Sequence, residues 1–250
     1  MHRFYLPPDR CHGATLVLSG DEAHHAARVL RVAPGDSVTV LDGAGQEFRC
    51  EVVAADKRTV QLRVLDKTIH PQPRCQITLL QAIPKGKILE SIIEKATELG
   101  AHRIVPLLTE RVTTKLDEGS AAEKGVKWQQ VAIEAIKQCG AAWLPKVEAP
   151  LTLEAFLARK ESFELALVGA LQGEARHPQE FLREFESGQG RPARDVAVWI
   201  GPEGDFTPTE LRAIQAAGAK PITLGKLVLR VETAAVYCLS VLSYELESKP

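Results

Sequence analysis

From Pro73 onward, short apolar runs alternate with amphipathic helical stretches, and this alternation limits the fold of the chain more than any other feature. The apolar runs predict strands at 77–83, 103–108, 165–171, 196–200 and 221–224. Helices are predicted at 87–99, 128–139, 179–185, 207–217 and 232–246. A regular strand–helix alternation predicts an α/β fold with a parallel sheet and helices on both faces.

The first 72 residues follow a different pattern. Segments with period-2 hydrophobicity, separated by turn signals, predict a small β-barrel with strands at 15–18, 37–41, 48–53 and 60–65. One helix interrupts them, and Ser19 and Glu22 are spaced as a capping box at its start. This helix carries His24, Arg28 and Arg31 at i, i+4 and i+7, which predicts that all three share one face. We therefore expect two domains, at 1–72 and 73–250.

The charge balance limits how the chain can contact nucleic acid. A protein that holds RNA through a broad phosphate-neutralising surface should be distinctly basic, whereas the net charge here is -1. Any RNA binding must therefore rest on local patches, on shape, or on a preformed target such as an assembled ribosomal particle. Composition by itself gives no support for a nucleic-acid partner.

Cysteine usage and hydropathy point to the cytoplasm. The five cysteines stand far apart without a Cys-x-x-Cys motif, which argues against a disulfide framework and against a zinc site. No apolar run approaches the roughly 18 residues that a membrane span needs, and the start of the chain has no signal-peptide core. We expect a cytoplasmic protein without a metal or a membrane partner.

Ligands of open parallel α/β sheets bind at the carboxyl ends of strands, which selects the loops after Leu171, Ile200 and Leu224. The second loop begins Gly-Pro-Glu-Gly at 201–204, a turn that lets backbone groups approach a ligand closely. A capping box with proline at the first helical position follows at 207–210. The same residues are equally consistent with a simple strand-to-helix turn.

The third loop places Arg230 and Glu232 at the edge of the same expected pocket, where an apolar helix begins. A purely structural interpretation stays open, in which Glu232 favours the helix N-terminus and Arg230 is its surface partner.

Together, these segments resemble the cofactor signature of the RsmE family, the ribosomal RNA uracil-N-3 methyltransferases of the SPOUT superfamily. The matching motifs are Ile-Gly-Pro-Glu-Gly-x-Phe-Thr-x-x-Glu at 200–210 and Leu-Gly-x-x-x-Leu-Arg-x-Glu-Thr-Ala at 224–234. The segment 94–100 is similar to a Lys-x-x-Glu-Leu-Gly helix of that family. Segments 3–6, 24–31 and 35–36 resemble its PUA-like N-terminal domain, so the resemblance spans nearly the whole chain.

The resemblance implies a trefoil-knotted α/β domain and a PUA-like RNA-binding domain. It also implies a homodimer that uses S-adenosylmethionine to methylate 16S rRNA within the small ribosomal subunit. The cofactor-binding residues that it implies are Leu171, Gly201, Pro202, Glu203, Gly204, Leu224, Gly225, Leu229, Arg230, Glu232, Thr233 and Ala234. From their place in the matched block, Glu232 is predicted to be the catalytic base and Arg230 the cation that stabilises the developing negative oxygen.

RNA contacts are predicted for the N-terminal domain, at Arg3, His24, Arg28 and Arg31. A solvated face is an equally good interpretation of the last three. A metal pair at His24 and His25 is disfavoured, because neighbours on a helix point about 100° apart.

Two departures from the family pattern affect these expectations. The family usually has a second glycine where this chain has Asp205, which adds a carboxylate beside the predicted pocket. An arginine that often follows the Gln-Ser helix end of the family is missing after Gln138.

Three other functions share parts of this sequence pattern. A ribose 2′-O-methyltransferase would keep the fold, but the PUA-like front end and the Arg-x-Glu-Thr-Ala block favour a base methylase. A non-catalytic ribosome-assembly protein would not need the intact pocket motifs. A nucleotide-dependent oxidoreductase is disfavoured because no Gly-x-Gly-x-x-Gly follows any predicted strand.

Overall fold

The computed structural model describes residues 2–112, 118–170 and 175–247. The chain forms two compact units. Unit 1 consists of Met1–Gln72 and Ile133–Leu144, and unit 2 consists of Pro73–Ala132 and Pro145–Pro250. The division at Gln72 coincides with the change of pattern in the sequence. Segment Ile133–Leu144, which begins inside the predicted helix at 128–139, belongs to unit 1.

Unit 1 contains one five-stranded sheet, in the order β1-β3-β4-β5-β2. β1 pairs with β3 in parallel, and the other ladders are antiparallel. Alternate residues such as Leu16, Leu18 and Val60 point into the core, as the period-2 pattern predicts. No ladder joins the end strands β1 and β2 within the described residues, so the strand pairing does not close into the predicted barrel. The strands are β1 (His2–Tyr5), β2 (Thr15–Ser19), β3 (Ser37–Leu41), β4 (Gln46–Ala55) and β5 (Thr59–Ile69).

The predicted capping box at the first helix is wrong. Helix α1 spans only Gly20–His24, and the side chain of Ser19 makes no capping hydrogen bond. The carboxylate of Glu22 is used elsewhere, because Oε2 accepts from the backbone N–H of Tyr5 at 3.3 Å and Oε1 accepts from Nζ of Lys137 at 2.7 Å. A long-range ion pair has therefore displaced the local cap.

The single α-helical face predicted for His24, Arg28 and Arg31 is also wrong. The backbone continues from α1 as a π-helical segment, His25–Leu30, in which the 3.6-residue period does not apply. Arg31 lies beyond this segment in a left-handed conformation with φ 54°. All three side chains are exposed, but the helical spacing does not determine their relative directions.

Hydrogen bonds and an ion pair attach Ile133–Leu144 to unit 1. The guanidinium of Arg3 donates to the carbonyl of Gln138 at 3.0 Å, and Nε1 of Trp143 donates to the carbonyl of Pro71 at 2.9 Å. Burial alone would lower the pKa of Lys137, but its hydrogen bonds to Glu22 and Glu134 outweigh that effect and raise it. Breaking a buried charge pair is costly, so this segment is firmly attached.

Unit 2 is built on a parallel sheet in the order β12-β10-β11-β6-β7-β8, with β9 also paired to β7. β8 and β9 pair with the two ends of β7, and Pro106 falls in the gap between them, where β7 has no partner on that side. That position suits a residue without a backbone N–H. The strands are β6 (Gln76–Ala82), β7 (Arg103–Leu108), β8 (Lys146–Val147), β9 (Leu151–Thr152), β10 (Leu165–Gly169), β11 (Asp195–Ile200) and β12 (Lys220–Ile222).

Helices cover both faces of this sheet, as predicted. They are α2 (Ile88–Glu98), α3 (Glu118–Cys139), α4 (Leu153–Ala158), α5 (Pro178–Gln189), α6 (Pro208–Ala216) and α7 (Val231–Leu246). Leu80 of β6 shares a core with Phe156 of α4 and Ile214 of α6. Leu79 points to the opposite face because strand residues alternate, and α7 packs there on β6, β11 and α2. α3 begins earlier than predicted, and the sequence of α4 shows no recognisable helical pattern.

Three further properties concern the described part of the chain. No helix in it combines the length and the hydropathy that a membrane crossing requires. Nor does it contain a group of three or more His, Cys, Asp or Glu side chains that could hold a metal ion.

The cysteines are free thiols, and burial raises the pKa of Cys75 and of Cys238 to about 12, so both stay protonated at neutral pH.

Candidate cofactor pocket

A cavity of about 580 Å³ lies where the neighbouring strands β10, β11 and β12 end. Strand order places the loops after these three strands side by side, although they are far apart in sequence. Nine of the residues predicted to bind a cofactor line the cavity: Gly201, Pro202, Glu203, Leu224, Gly225, Leu229, Arg230, Glu232 and Ala234. Gly204 and Thr233 do not line it, and Leu171 lies outside the described residues.

The turn at 201–205 forms one wall of the cavity and is tightly folded. The N–H of Asp205 donates to the carbonyl of Pro202 at 2.9 Å, and Oδ1 of Asp205 accepts from the N–H of Phe206 at 2.8 Å. A Cβ atom on Gly201 would lie 3.0 Å from Oδ1 of Asp205 and 3.2 Å from the nitrogen of Phe206. Any larger residue at the first position of this turn would therefore press on Asp205 and Phe206.

The predicted capping box at the start of α6 is confirmed. Oγ1 of Thr207 accepts from the N–H of Glu210 at 3.3 Å, and Oε2 of Glu210 accepts from the N–H of Thr207 at 2.8 Å. Glu210 is buried, and its other oxygen accepts from the N–H of Glu110 at 2.7 Å. The helix start thus fixes the far end of the pocket turn and connects it to the loop after β7.

The loop at 223–230 forms the opposite wall. Gly225 adopts φ 112°, a conformation that L-residues rarely tolerate, and its N–H donates to Oγ1 of Thr223 at 3.3 Å. Arg230 is the N-cap residue of α7, and Glu232 lies in the first turn of that helix. Both line the cavity, and no ion pair joins them within the described residues, so Arg230 is not a surface partner of Glu232.

Sequence reasoning missed the residues that support the pocket turn from neighbouring loops. The backbone N–H of Lys85, after β6, donates to Oε1 of Glu203 at 2.9 Å. The guanidinium of Arg111, after β7, donates to the carbonyl of Gly204. Their position after predicted parallel strands could have indicated them. The carboxyl ends of β6 and β7 lie at the same edge of the sheet as the carboxyl end of β11.

Ala170 and Arg176, which flank the connection that follows β10, both form hydrogen bonds with the end of β12. The N–H of Ala170 donates to the carbonyl of Ile222 at 3.2 Å. The N–H of Thr223 donates to the carbonyl of Arg176 at 3.0 Å, and Arg176 forms a parallel bridge with Ile222. The chain therefore passes between Ala170 and Arg176 as it leaves β12.

The predicted RNA-binding residues lie in unit 1, and they differ in availability. The guanidinium of Arg3 is already bound to the carbonyls of Lys137 and Gln138 and lies against Gly140. His24, Arg28 and Arg31 are exposed.

Comparison with known proteins agrees with this architecture. The sequence family described as RNA methyltransferase domain matches residues 70–243, and the one described as RNA methyltransferase PUA domain matches residues 18–65. Among curated relatives, the ribosomal RNA small subunit methyltransferase E of Synechocystis is 35% identical, over 99% of this chain and 78% of its own length. The Bacillus subtilis protein of the same name is 30% identical, over 93% and 91%.

Two solved structures are similar along their whole length. A methyltransferase from Legionella pneumophila, in complex with the bound cofactor SAM, is 33% identical with a TM-score of 0.86, covering 97% of each chain. A ribosomal RNA small subunit methyltransferase E from Neisseria gonorrhoeae, bound to S-adenosyl methionine, is 28% identical with a TM-score of 0.87, covering 99% of each chain. The chain described here therefore belongs to the RNA methyltransferase family of the ribosomal RNA small subunit methyltransferase E proteins.

Proposed function

We propose that this protein transfers the methyl group of S-adenosylmethionine to N-3 of a specific uridine in 16S rRNA, within the small ribosomal subunit in the cytoplasm. The observation that carries the proposal is the convergence of the 200–210 and 224–234 motifs on one cavity. Membership of the methyltransferase family supports the reaction, and the resemblance to uracil-N-3 methylases supports the choice of atom.

The cavity fits the cofactor in size and in lining. Its volume of about 580 Å³ lies within the range of about 300–1,000 Å³ typical of small-molecule sites. Gly169, Gly201 and Gly225 leave backbone exposed to a ligand, while Leu224 and Leu229 supply apolar surface. The carboxylate of Asp205, which also lines the cavity, complements a donor with a positive charge.

S-adenosylmethionine, when bound, supplies a methyl group activated by its sulfonium. The chain must align the acceptor nitrogen with that methyl group, and such positioning contributes about 7–11 kcal/mol of barrier reduction. N-3 of uracil carries a proton, so Glu232 is the proposed acceptor, and a general base contributes about 10²–10⁴-fold. Arg230 is proposed to stabilise the negative charge that develops on the uracil oxygen.

The trefoil knot is part of the proposal. Passage of the chain between Ala170 and Arg176 at the end of β12 supports a threaded C-terminal segment. After this passage the chain forms the 223–230 wall and returns as α7 to the middle strands of the sheet. Threading would hold the two walls of the pocket together without a covalent link.

The proposed assembly is a homodimer formed through α7 and the adjacent loop. Leu227 and Val228 are each 78% exposed, and Tyr237 and Tyr244 of α7 are exposed on one helical face. Exposed patches of large apolar side chains commonly mark interaction sites, and aromatic residues are enriched in interfaces. A second copy is the proposed occupant because a two-fold interface needs only one self-complementary surface.

RNA binding is proposed for the PUA domain, through His24, Arg28 and Arg31, which are exposed. A contact of Arg3 with RNA stays a prediction, and Nη1 of its guanidinium also donates to the backbone carbonyls of Lys137 and Gln138. The target base must be unpaired or swung out of its stack to present N-3.

The test is to incubate the purified protein with labelled S-adenosylmethionine and small ribosomal subunits that lack the modification. Digestion of the RNA and mass analysis of its nucleosides should yield 3-methyluridine. A 2′-O-methylated nucleoside would replace the proposal with the ribose methylase. Cofactor binding without any methylated product on subunits or on free 16S rRNA would replace it with a non-catalytic binding function.

A further inference from the structure

We propose that Glu203 and Arg111 are positioning residues for the cofactor turn, and that Glu203 acts through the backbone of Lys85 rather than through its charge. They hold the turn at 201–205 in its binding shape before the ligand arrives. The inference rests on the proposed function in one respect, namely that S-adenosylmethionine is the ligand of this cavity.

Glu203 connects the turn to the loop after β6. Its Oε1 accepts from the N–H of Lys85 at 2.9 Å, and β6 is the strand next to β11 in the sheet. Glu203 itself lines the cavity, and its matched motif suggests direct cofactor contact. The observed hydrogen bond needs an acceptor oxygen at this place and not a negative charge, because an amide oxygen accepts as well.

Arg111 connects the turn to the loop after β7. Its guanidinium donates to the carbonyl of Gly204, and neither residue lines the cavity. The fit is close, since a Cβ atom on Gly204 would lie 3.2 Å from Cδ of Arg111. Arg111 therefore supports the pocket wall from behind, where a ligand in the cavity does not reach it.

The turn needs this external support because its backbone includes an unfavourable conformation. Asp205 has φ 61°, in the left-handed region that residues other than glycine rarely adopt, while its N–H donates to Pro202 and its Oδ1 accepts from Phe206. Without the links to Lys85 and Arg111, the turn would populate other shapes, and the ligand would have to select the binding-competent one. Affinity then falls in proportion to the population of that shape.

The experiment measures the dissociation constant of S-adenosylmethionine by calorimetry for Glu203→Gln, Glu203→Ala, Arg111→Lys and Arg111→Ala. The alanine variants should each bind about tenfold more weakly, because each loses the hydrogen bond that holds the turn in its binding shape. Glu203→Gln should retain most of the affinity, and Arg111→Lys should recover part of it. With RNA substrate, the alanine variants should raise KM for the cofactor and leave kcat at saturation nearly unchanged, since Glu232 is untouched.

Arg212→Ala is the matched control, because Arg212 is an exposed arginine of α6 whose guanidinium donates to Oγ1 of Thr209, within the same helix. Thermal unfolding without ligand separates loss of the turn from loss of the fold. Equal weakening by Glu203→Gln and Glu203→Ala would overturn the role of Glu203 and assign its charge to the ligand. Unchanged affinity in Arg111→Ala would overturn the role of Arg111. Failure of the unmodified protein to bind the cofactor would instead reject the proposed function.

Discussion

Asp205 shows how one residue can depart from a family pattern and still keep the local backbone. It adopts φ 61°, in the left-handed region that favours glycine, the residue the family usually has there. Aspartate is among the few other residues that enter this region, because its short polar side chain can hydrogen-bond locally. Here Oδ1 accepts from the N–H of Phe206, so the side chain partly offsets the conformational cost.

At this position, Asp205→Ala should destabilise the protein by about 1 kcal/mol more than Asp205→Gly. Alanine retains the steric cost of a positive φ and loses the hydrogen bond, whereas glycine loses the hydrogen bond but removes the steric cost. Urea unfolding of both variants measures the difference. Equal stabilities would show that this backbone conformation is not strained.

The proposed role of Glu232 as the proton acceptor can be tested by a single substitution. Glu232→Gln keeps the shape of the side chain but removes the proton acceptor, so kcat should fall by about 10²–10⁴-fold. Cofactor affinity, measured by calorimetry, should change little, because the amide preserves the volume and the helix-terminal position. Turnover near that of the unmodified enzyme would reject Glu232 as the base.

At the scale of secondary structure, two sequence motifs that look alike have different structural roles. Ser19 and Thr207 each precede a helix and have a glutamate three residues later. Only Thr207 caps its helix, because the glutamate after Ser19 is bound to Lys137. A local pattern predicts a cap correctly only when no distant partner offers the glutamate a stronger interaction.

This contrast predicts unequal effects of the same substitution. Thr207→Ala should lower the free energy of unfolding by about 1 kcal/mol, the typical cost of losing a cap. Ser19→Ala should change it by less than about 0.5 kcal/mol, as for other surface substitutions. Both are measured by urea unfolding, and a larger loss at Ser19 than at Thr207 would contradict the assignment of the caps.

For the whole molecule, acid stability should depend on Glu164. Hydrogen bonds from the guanidinium of Arg191 and from the N–H of Arg194 lower the pKa of Glu164 to about 2. A lowered pKa stabilises the folded state above the ordinary pKa of a glutamate, and this stabilisation is lost as the pH falls towards 2. The pair is partly exposed, so solvent screening keeps the effect below about 1 kcal/mol.

Glu164→Gln should therefore be less stable than the unmodified protein at pH 7, and the difference should shrink towards pH 2. Urea unfolding across this range checks the prediction. A difference that stays constant with pH would show that ionisation of Glu164 does not contribute to it.

RNA affinity should depend only moderately on salt, because the net charge of -1 provides no broad basic surface. If Arg28 and Arg31 each contact a phosphate, replacing either by Gln should reduce the slope of log K against log salt by about 0.7. Fluorescence anisotropy with the target RNA, between about 50 and about 200 mM salt, measures the slope. Lys57→Gln, at an exposed position of unit 1, is the control. Slopes that do not change at Arg28 and Arg31 would remove these residues from the interface.

Elements whose signals are local could be predicted from the amino-acid sequence alone. The strands that became β6, β7 and β11, the helix that became α7, and the Thr207 cap all follow from apolar periodicity and short-range hydrogen bonding. The motifs at 200–210 and 224–234 likewise identified most of the cavity lining. Two-residue strands such as β8, and the short helix α4, offered too few residues for a period to be recognised.

Features that depend on residues far apart in the chain could not be predicted and followed from the fold. The pairing of Glu22 with Lys137 removed a cap that local spacing predicted, and it helped to attach Ile133–Leu144 to unit 1. The support of the pocket turn by Lys85 and Arg111 depends on strand order, which no local pattern encodes. Local preferences are small in energy, so long-range ion pairs and hydrogen bonds override them wherever the fold brings partners together.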